Sequence, residues 1–586
     1  MKWNCRTRCA FVCVAFIAMF SLFSFRLIYL QMIKHEEYSG LAALKNVDRQ
    51  IIYAERGTIA DANGEILAHN VPIETVVADA THVNDQARLV PVLAAALKIS
   101  PNELNEKLSG ERRYVVLKRG VPEAAATALR QTLQTQKLRG VYFERDFTRV
   151  YPNGPMLCHV IGFTDFLHKG IQGVEASMEG YLHGEDGFRF IEHNRAGQEL
   201  VLYRGQERAP RDGDRVNLTI DSNLQNIVEN EIDAAVREYR PEKATIILMR
   251  PDTGEILAMA NRPNFDLNAR AEAKPEEMKN RAIIDQMEPG STFKIVTAAA
   301  ALNEKKVRPE SMIFCENGVW NYGGRPLHDH AGYGELSVQD ILVKSSNIGA
   351  AKLALSIGEQ KFYEYIRSFG FGERTGIELP GEIAGTIHPL SAWTKISITR
   401  IPMGHEVAVT PLQMTVAMAA IANGGKLVTP RIVKSITKAN GEITKISPTV
   451  LRQVISPETA HQVSEALRGV VSERGTAVGA SVPGFTICGK TGTAQKVDPH
   501  GGYEHGKYVV SFSGYMPAEH PQFVALVTLD NAQTKTPEEN YGGKVAAPIF
   551  ARIAEKAARY LDLEPHEEIS KAVAAGQVAL TNANRR

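Results

Sequence analysis

Cysteine is scarce in this chain: six in 586 residues, with Cys5, Cys9 and Cys13 lying in or beside one apolar run at the N-terminus. The remaining three, Cys158, Cys315 and Cys488, are too few and too scattered to imply a disulfide framework. An excess of one charge is lacking too, since 67 Lys and Arg stand against 66 Asp and Glu, with no basic stripe interleaved with aromatics. A polyanion would find no electrostatic footprint, so nucleic acid is excluded as a partner. Metal-ligand clusters are equally thin. His328-Asp329-His330 resembles a metal pair without further ligands, and His405-Glu406 lacks the second histidine of a zinc-protease helix. Neither a metal nor another cofactor is expected.

What is present begins with the run from Ala10 to Ile33, 24 residues whose one charge is Arg26. That length suffices to cross a bilayer core of roughly 30 Å. Lys2, Arg6 and Arg8 precede it, so the positive-inside bias leaves residues 1–9 in the cytoplasm and sends the chain after about Lys34 outside. A cleaved signal peptide is the alternative. Against it, no small-x-small site follows Phe11–Phe25, and apolar character resumes at Leu27–Leu30. Cys13, preceded by Phe-Val, does not read as a lipoprotein cysteine. Arg26 either snorkels to the outer interface or faces a membrane partner.

Residues 34–211 mix short β-like pieces with helical ones. Asn63-Gly64 is a hairpin-type turn between Thr58-Ile59 and Ile66-Leu67, and Pro91 to Leu108 has helical periodicity. Charge and glycine gather at Gly184–Gly187 and Arg204–Asp214, which marks a boundary and opens a second unit over 212–562. There Val216–Ile220 reads as a strand, Ser222 as the cap of a helix to about Tyr239, and Ala244–Met249 with Glu255–Ala260 as a hairpin. Phe523–Leu529 is β-like and Ala547–Leu561 helical. The pattern predicts an α+β fold, an antiparallel sheet flanked by helices with a helical block inserted. The tail, 563–586, is left without a fold.

Three motifs then follow in order: Ser291-Thr292-Phe293-Lys294, Ser345-Ser346-Asn347 and Lys490-Thr491-Gly492-Thr493. Each alone has an ordinary reading: a helix cap with a solvated lysine, a capped turn before Ile348–Leu355, a strand with a surface lysine. The first two also have second copies. Ser435-Ile436-Thr437-Lys438 lies before the turn Asn440-Gly441, in a hairpin where positions three apart face opposite ways, and Ser100-Pro101-Asn102 sits at a helix start. Ser291, by contrast, follows Glu288-Pro289-Gly290 and opens a strong helix, on which Lys294 shares its face and can take the hydroxyl proton. A second hydroxyl, Ser345, can relay that proton to a leaving amine, and the Asn347 amide can hold a peptide group. Strand alternation puts Thr491 and Thr493 on one face, while Gly492 leaves room for an extended peptide. Lys490 is expected to offer positive charge to a terminal carboxylate. Backbone N–H groups of Ser291 and Thr493 would form an oxyanion hole.

The ordered set is the one found in penicillin-binding proteins and class A β-lactamases. With the anchor and the first unit included, the chain resembles class B penicillin-binding proteins over nearly its whole length. Arg56-Gly57-Thr58-Ile59 with Asp61 and Gly64, Arg149-Val150-Tyr151-Pro152 with His159–Gly162, and Gly173-Val174-Glu175 are similar to that family's non-catalytic motifs. The resemblance implies a transmembrane helix (10–33), a dimerisation-type pedestal (34–211) and a transpeptidase domain (212–562) in the bacterial inner membrane, with the catalytic domain in the periplasm. It further implies that Ser291 is acylated by the penultimate D-alanine of a peptidoglycan stem peptide, that a neighbouring strand's amine takes the acyl group, and that β-lactams acylate the same serine. Tyr541-Gly542-Gly543 with Ala546–Phe550, and Phe512–Tyr515, are more similar to the cell-division enzymes than to the elongation ones. The division type implies a polytopic membrane glycosyltransferase and other division proteins as partners. Gly404-His405-Glu406 departs from many relatives, and no appended repeat domain is read at the C-terminal end. Glu185-Asp186-Gly187-Phe188 falls one residue short of a glycosyltransferase pattern and reads as a turn. Rival readings are an elongation-type class B transpeptidase, a D,D-carboxypeptidase or β-lactamase, a penicillin sensor and a non-catalytic scaffold.

Overall fold

The computed structural model describes residues 5–38, 47–110, 112–192, 207–498, 502–536 and 539–565. Most of the tail, from 566 on, therefore lies outside the described residues. The chain forms two compact units, one made of Met1–Glu55 with Gly184–Asp212 and the other of Arg56–His183 with Gly213–Arg586.

In the first unit, α1 (Cys5–Ile28) runs on as a π-helical turn, Tyr29–Ile33. Arg6–Ile33 is, among the described residues, the one helix long and apolar enough to cross a membrane. The Arg26 guanidinium lies 5.4 Å from the Tyr29 ring centroid, a cation–π contact within the helix. Strands Val47–Ile52 and Gly187–Glu192 pair antiparallel. Glu185-Asp186-Gly187-Phe188 is thus a strand entry and not a turn. Its backbone is drawn into pairing, Phe188 with Arg208 and Glu185 with Arg211, and the Asp186 carboxylate accepts from Ala54 N at 2.9 Å.

The second unit opens with β1 (Ile59–Ala60) and β2 (Ile66–Ala78) around the Asn63-Gly64 turn. Asp61 closes that turn by accepting from the N–H groups of Asn63 (2.8 Å) and Glu65 (2.9 Å). The periodicity over 91–108 resolves into two helices, α2 (Gln86–Leu97) and α3 (Pro101–Leu108). Lys98 in the left-handed region ends the first, and Ser100 caps the second with Pro101 at its first position, where a missing N–H costs nothing. Strand β3 (Val115–Pro122), helix α4 (Glu123–Thr135) and strand β4 (Val141–Val150) complete this part, with a core that includes Leu93, Leu97, Leu104, Leu117 and Leu129.

Beneath it lies a buried ionic cluster. Glu175 accepts from Arg56 Nε at 2.6 Å and from Arg149 Nε at 2.7 Å, and Arg56 also pairs with Glu179 at 2.7 Å. The Tyr151 hydroxyl and the Asn70 amide adjoin the same group. Three motifs separated in sequence thereby meet at one carboxylate.

Strand β5 (Arg215–Leu218) runs parallel to β1, pairing Val216 with Ile59 and Asn217 with Ala60. After it come α5 (Ser222–Tyr239) and the hairpin of β6 (Lys243–Met249) and β7 (Ile256–Arg262). The cap of α5 is Asp221, whose carboxylate accepts from Asn223 N and Leu224 N. Ser222 is excluded from that role because it is already the first helical residue, and its own N–H is bound by Asp61. The helical block follows as α6 (Lys294–Asn303), α7 (Val338–Lys344), α8 (Asn347–Ile357) and α9 (Pro411–Ala422). Next are the hairpin β8 (Val433–Thr437) and β9 (Ile443–Lys445), then α10 (Pro457–Val471).

The chain returns through β10 (Cys488–Val497), β11 (Tyr503–Met516) and β12 (Phe523–Asp530) and ends on α11 (Ala546–Tyr560). Two sheets result. One has the order β9-β8-β5-β1-β2-β3, with β4 also on β2; the other, antiparallel throughout, is β10-β11-β12-β6-β7. Helices α5 and α11 are tied by Glu231, which accepts from Arg552 and Lys556 at 2.6 Å each. The α+β class read from the sequence is the one observed.

Candidate active site

A tight 3-10 turn, Gly290–Phe293, delivers the chain into α6. Gly290 has φ +55°, and a Cβ there would meet the Thr493 carbonyl oxygen at 2.9 Å, so glycine is required both by conformation and by the approach of β10. Ser291 makes no capping bond. Instead, Lys294, one turn later and almost fully buried, brings its Nζ to 3.0 Å from Ser291 Oγ. The same Nζ lies 2.6 Å from the Ser345 carbonyl oxygen, 3.2 Å from Ser345 Oγ and 2.7 Å from Asn347 Oδ1.

The second motif occupies the break between α7 and α8. Ser345 ends α7 in the left-handed region (φ +60°), and Ser346 caps α8 by accepting from Gly349 N at 2.9 Å. Asp329 braces this corner. Its carboxylate accepts from Asn347 N (2.5 Å), Ile348 N (3.1 Å) and Ser346 Oγ (2.6 Å), a capping role at the positive end of a helix. Asn347 Nδ2 donates to the His328 carbonyl at 2.8 Å, which turns its Oδ1 toward Lys294. Within the His-Asp-His run, the Asp329 carboxylate and the His328 carbonyl therefore brace the start of α8.

The third motif lies on β10, an outermost strand of its sheet. Lys490 is fully buried, and its Nζ sits 2.9 Å from Ser345 Oγ. The sequence expectation of a carboxylate anchor has to be modified here, because the amine is spent on the Ser345 hydroxyl and not displayed to solvent. Thr491 Oγ1 is 2.9 Å from Thr476 Oγ1, and Thr493 Oγ1 accepts from Gly542 N at 3.2 Å. A Cβ on Gly492 would strike Ser511 Oγ at 2.3 Å and the Pro289 carbonyl at 3.0 Å, so this glycine lets β10 lie against the Gly290–Phe293 turn.

Electrostatics completes the arrangement. Burial drives the Lys294 pKa well below that of a free lysine and the Lys490 charge pushes the same way, with Asp329 opposing. Burial brings Lys490 down to about 7. Among the described residues neither amine forms an ion pair. A neutral Lys294 would spend its two N–H groups on the Ser345 carbonyl and Asn347 Oδ1, leaving its lone pair for the Ser291 hydroxyl. Such a site can deprotonate a serine at neutral pH and hold a second hydroxyl between two amines.

Ser291, Lys294, Ser345, Asn347 and Lys490 thus form one hydrogen-bonded network, with Thr491, Gly492 and Thr493 alongside. The rival Ser435-x-x-Lys438 does not join it: Ser435 Oγ accepts from Asn217 in the other sheet, and Lys438 pairs with Glu442. Asp329 was missed by sequence reading. It stands 18 residues before Asn347, and no local pattern links the two.

Residues 244–555 match the family model of the penicillin-binding protein transpeptidase domain, and 51–218 that of the penicillin-binding protein dimerisation domain. Stage V sporulation protein D of Bacillus subtilis is 34% identical over 96% of this chain and 87% of its own length. Peptidoglycan D,D-transpeptidase FtsI of Escherichia coli is 31% identical over 95% of this chain and 92% of its own. Penicillin binding protein 3 of Mycobacterium tuberculosis, solved with aztreonam, superposes with a TM-score of 0.70 at 27% identity, covering 89% of this chain and 99% of that one. Fold, motif order and these likenesses agree, and the chain belongs to the class B penicillin-binding proteins.

Proposed function

We propose that this protein is a septal peptidoglycan D,D-transpeptidase with Ser291 as its acylated nucleophile. The observation that carries the reading is the pair of buried amines, Lys294 and Lys490, without a counter-ion among the described residues, converging on the hydroxyls of Ser291 and Ser345. Relatives support it: FtsI is named a peptidoglycan D,D-transpeptidase, and the mycobacterial structure holds a β-lactam.

Lys294 takes the Ser291 proton as Oγ attacks the carbonyl carbon of the penultimate D-alanine. The N–H groups of Ser291 and Thr493 receive the oxyanion, each donor worth roughly a hundred- to a thousand-fold in rate. As the C–N bond breaks, Ser345 passes a proton to the departing D-alanine nitrogen, with Lys490 orienting that hydroxyl. Asn347, Thr491 and Thr493 hold the donor peptide along β10, which Gly492 lets lie close to the Ser291 turn. An amine from a neighbouring strand then attacks the ester, forming the cross-link amide and freeing Ser291.

Residues 34–211 serve as the pedestal and 212–562 as the catalytic domain, each largely overlapping one family model. Helix α1 anchors the chain with its N-terminus in the cytoplasm and the rest outside. A polytopic membrane glycosyltransferase and other division proteins are its partners, met through α1 and the pedestal.

The test is intact mass after benzylpenicillin, with peptide mapping. A stable stoichiometric adduct on Ser291, lost in Ser291→Ala and kept in Ser435→Ala, is expected. Antibiotic consumed without an adduct would mean a hydrolase, and antibiotic unchanged without one a non-catalytic scaffold.

A further inference from the structure

The acyl-transfer chemistry has two halves, and the network around Lys294 accounts for the first. In the second an amine must attack the acyl-serine. An amine arrives at neutral pH chiefly as ammonium and is a nucleophile only after losing a proton. One carboxylate, that of Glu288, stands just ahead of the Gly290–Phe293 turn.

Glu288 stands three residues before Ser291. The loop after Met403 packs directly on this turn: the Gly404 carbonyl faces Gly290 N at 3.4 Å, and a Cβ on Gly404 would strike the Gly290 carbonyl oxygen at 2.2 Å. From this loop Glu406 N donates to Glu288 Oε1 at 3.0 Å. From β11, Tyr503 Oη donates to both carboxylate oxygens, at 3.1 and 3.3 Å, and its oxygen lies 3.3 Å from His405 Nδ1. The directions are mutually consistent only if His405 carries its proton on Nδ1, giving a relay from imidazole N–H to phenol O–H to carboxylate.

Burial, with Lys294 and Arg400 nearby, holds His405 neutral down to about 4. Burial also raises the Glu288 carboxyl pKa, and the neighbouring Glu406 adds to the shift. Three elements thus fix a half-buried carboxylate three residues ahead of Ser291, and its Oε2 keeps lone-pair capacity that no described group uses. Tyr503 is 43% exposed, so this side of the turn opens to solvent.

We propose that Glu288 is a further catalytic residue, the base that receives the acceptor amine, and that Tyr503 and His405 are its positioning residues. The inference rests on the transpeptidase reading above. The Glu288 carboxylate takes a proton from R–NH3+, leaving R–NH2. The amine nitrogen bonds to the acyl carbon, and the C–Oγ bond breaks. The second amine proton reaches Ser291 Oγ through Lys294, and Glu288 returns its proton to water.

The experiment uses the full chain in detergent, with a thioester of N-benzoyl-D-alanine as acyl donor and D-alanine as acceptor. It reads amide product against hydrolysed acid, alongside the rate of benzylpenicillin acylation. In Glu288→Gln the amide-to-acid ratio is expected to fall about a hundredfold while acylation stays within about twofold. Tyr503→Phe, which keeps the ring and removes one donor, is expected to lower the same ratio about fivefold with acylation unchanged. An unchanged ratio in either variant overturns the proposal, and so does a loss of acylation parallel to the loss of amide. A wild-type chain that never acylates would instead sink the transpeptidase reading itself.

Discussion

Two pairs of the buried cations in this protein behave in opposite ways. The Arg56 and Arg149 side chains, 1% and 2% exposed, close on one carboxylate, Glu175. Lys294 and Lys490, 1% and 0% exposed, close on hydroxyls, a carbonyl and an amide. Burial is the same; the counter-ion differs. Paired guanidiniums satisfy their charge and fix three segments of chain, whereas unpaired amines are pushed to release protons, and lysine is the cation able to do so. Depth therefore does not distinguish a reactive site from a structural one, but missing compensation does.

The sharpest way to break this contrast is to remove a lysine. Lys294→Met is expected to slow benzylpenicillin acylation about a thousandfold, read by the time course of the mass adduct, because the serine loses its base. Glu175→Gln attacks the other side. It leaves two guanidiniums buried with half their compensation and is expected to cost about 3–5 kcal/mol in denaturant unfolding, while the folded fraction acylates normally.

Lys490→Met should show the reverse sign for stability. The Lys490 pKa of about 7 lies below the 10.5 of an unfolded lysine, so between those values the unfolded chain binds the extra proton and folding is penalised. The penalty is largest at and below pH 7 and vanishes as pH rises toward 10.5. The variant should therefore melt roughly 2–4 °C higher at pH 7, with a gap that closes near pH 10, even as its acylation falls. An equal gap at both pH values would disconnect the amine from the effect. The smallest change is Ser435→Ala, which removes one acceptor of Asn217 and should cost under about 1 kcal/mol without touching the adduct.

Much of this was legible in the chain itself. The order of the three motifs separates Ser291 from Ser435, and helical spacing predicts the Lys294 contact, since both are local or cumulative signals. What escaped the sequence was non-local. Nothing near Lys490 says that its amine turns inward to Ser345, because strand alternation gives the face and not what lies over it. Asp329 serves a helix that begins 18 residues later, and Glu288, Tyr503 and His405 come from three separate segments. The smaller differences are ones of competition: Asp221 outranks Ser222 as a cap, and Pro101 splits a periodic stretch into two helices.

The parallel pairing of β1 with β5 carries a practical consequence. The sequence marks a boundary near residue 212, yet the β1–β5 ladder pairs residues from either side of it, and Asp61 reaches across to the start of α5. A catalytic fragment cut at 212 would bare the edge of β5 and strand the Ser222 N–H, exposing a template for unwanted association. The segment that carries β1 is thus a splint set into the same sheet as β5, and a fragment meant to retain activity has to begin no later than Arg56.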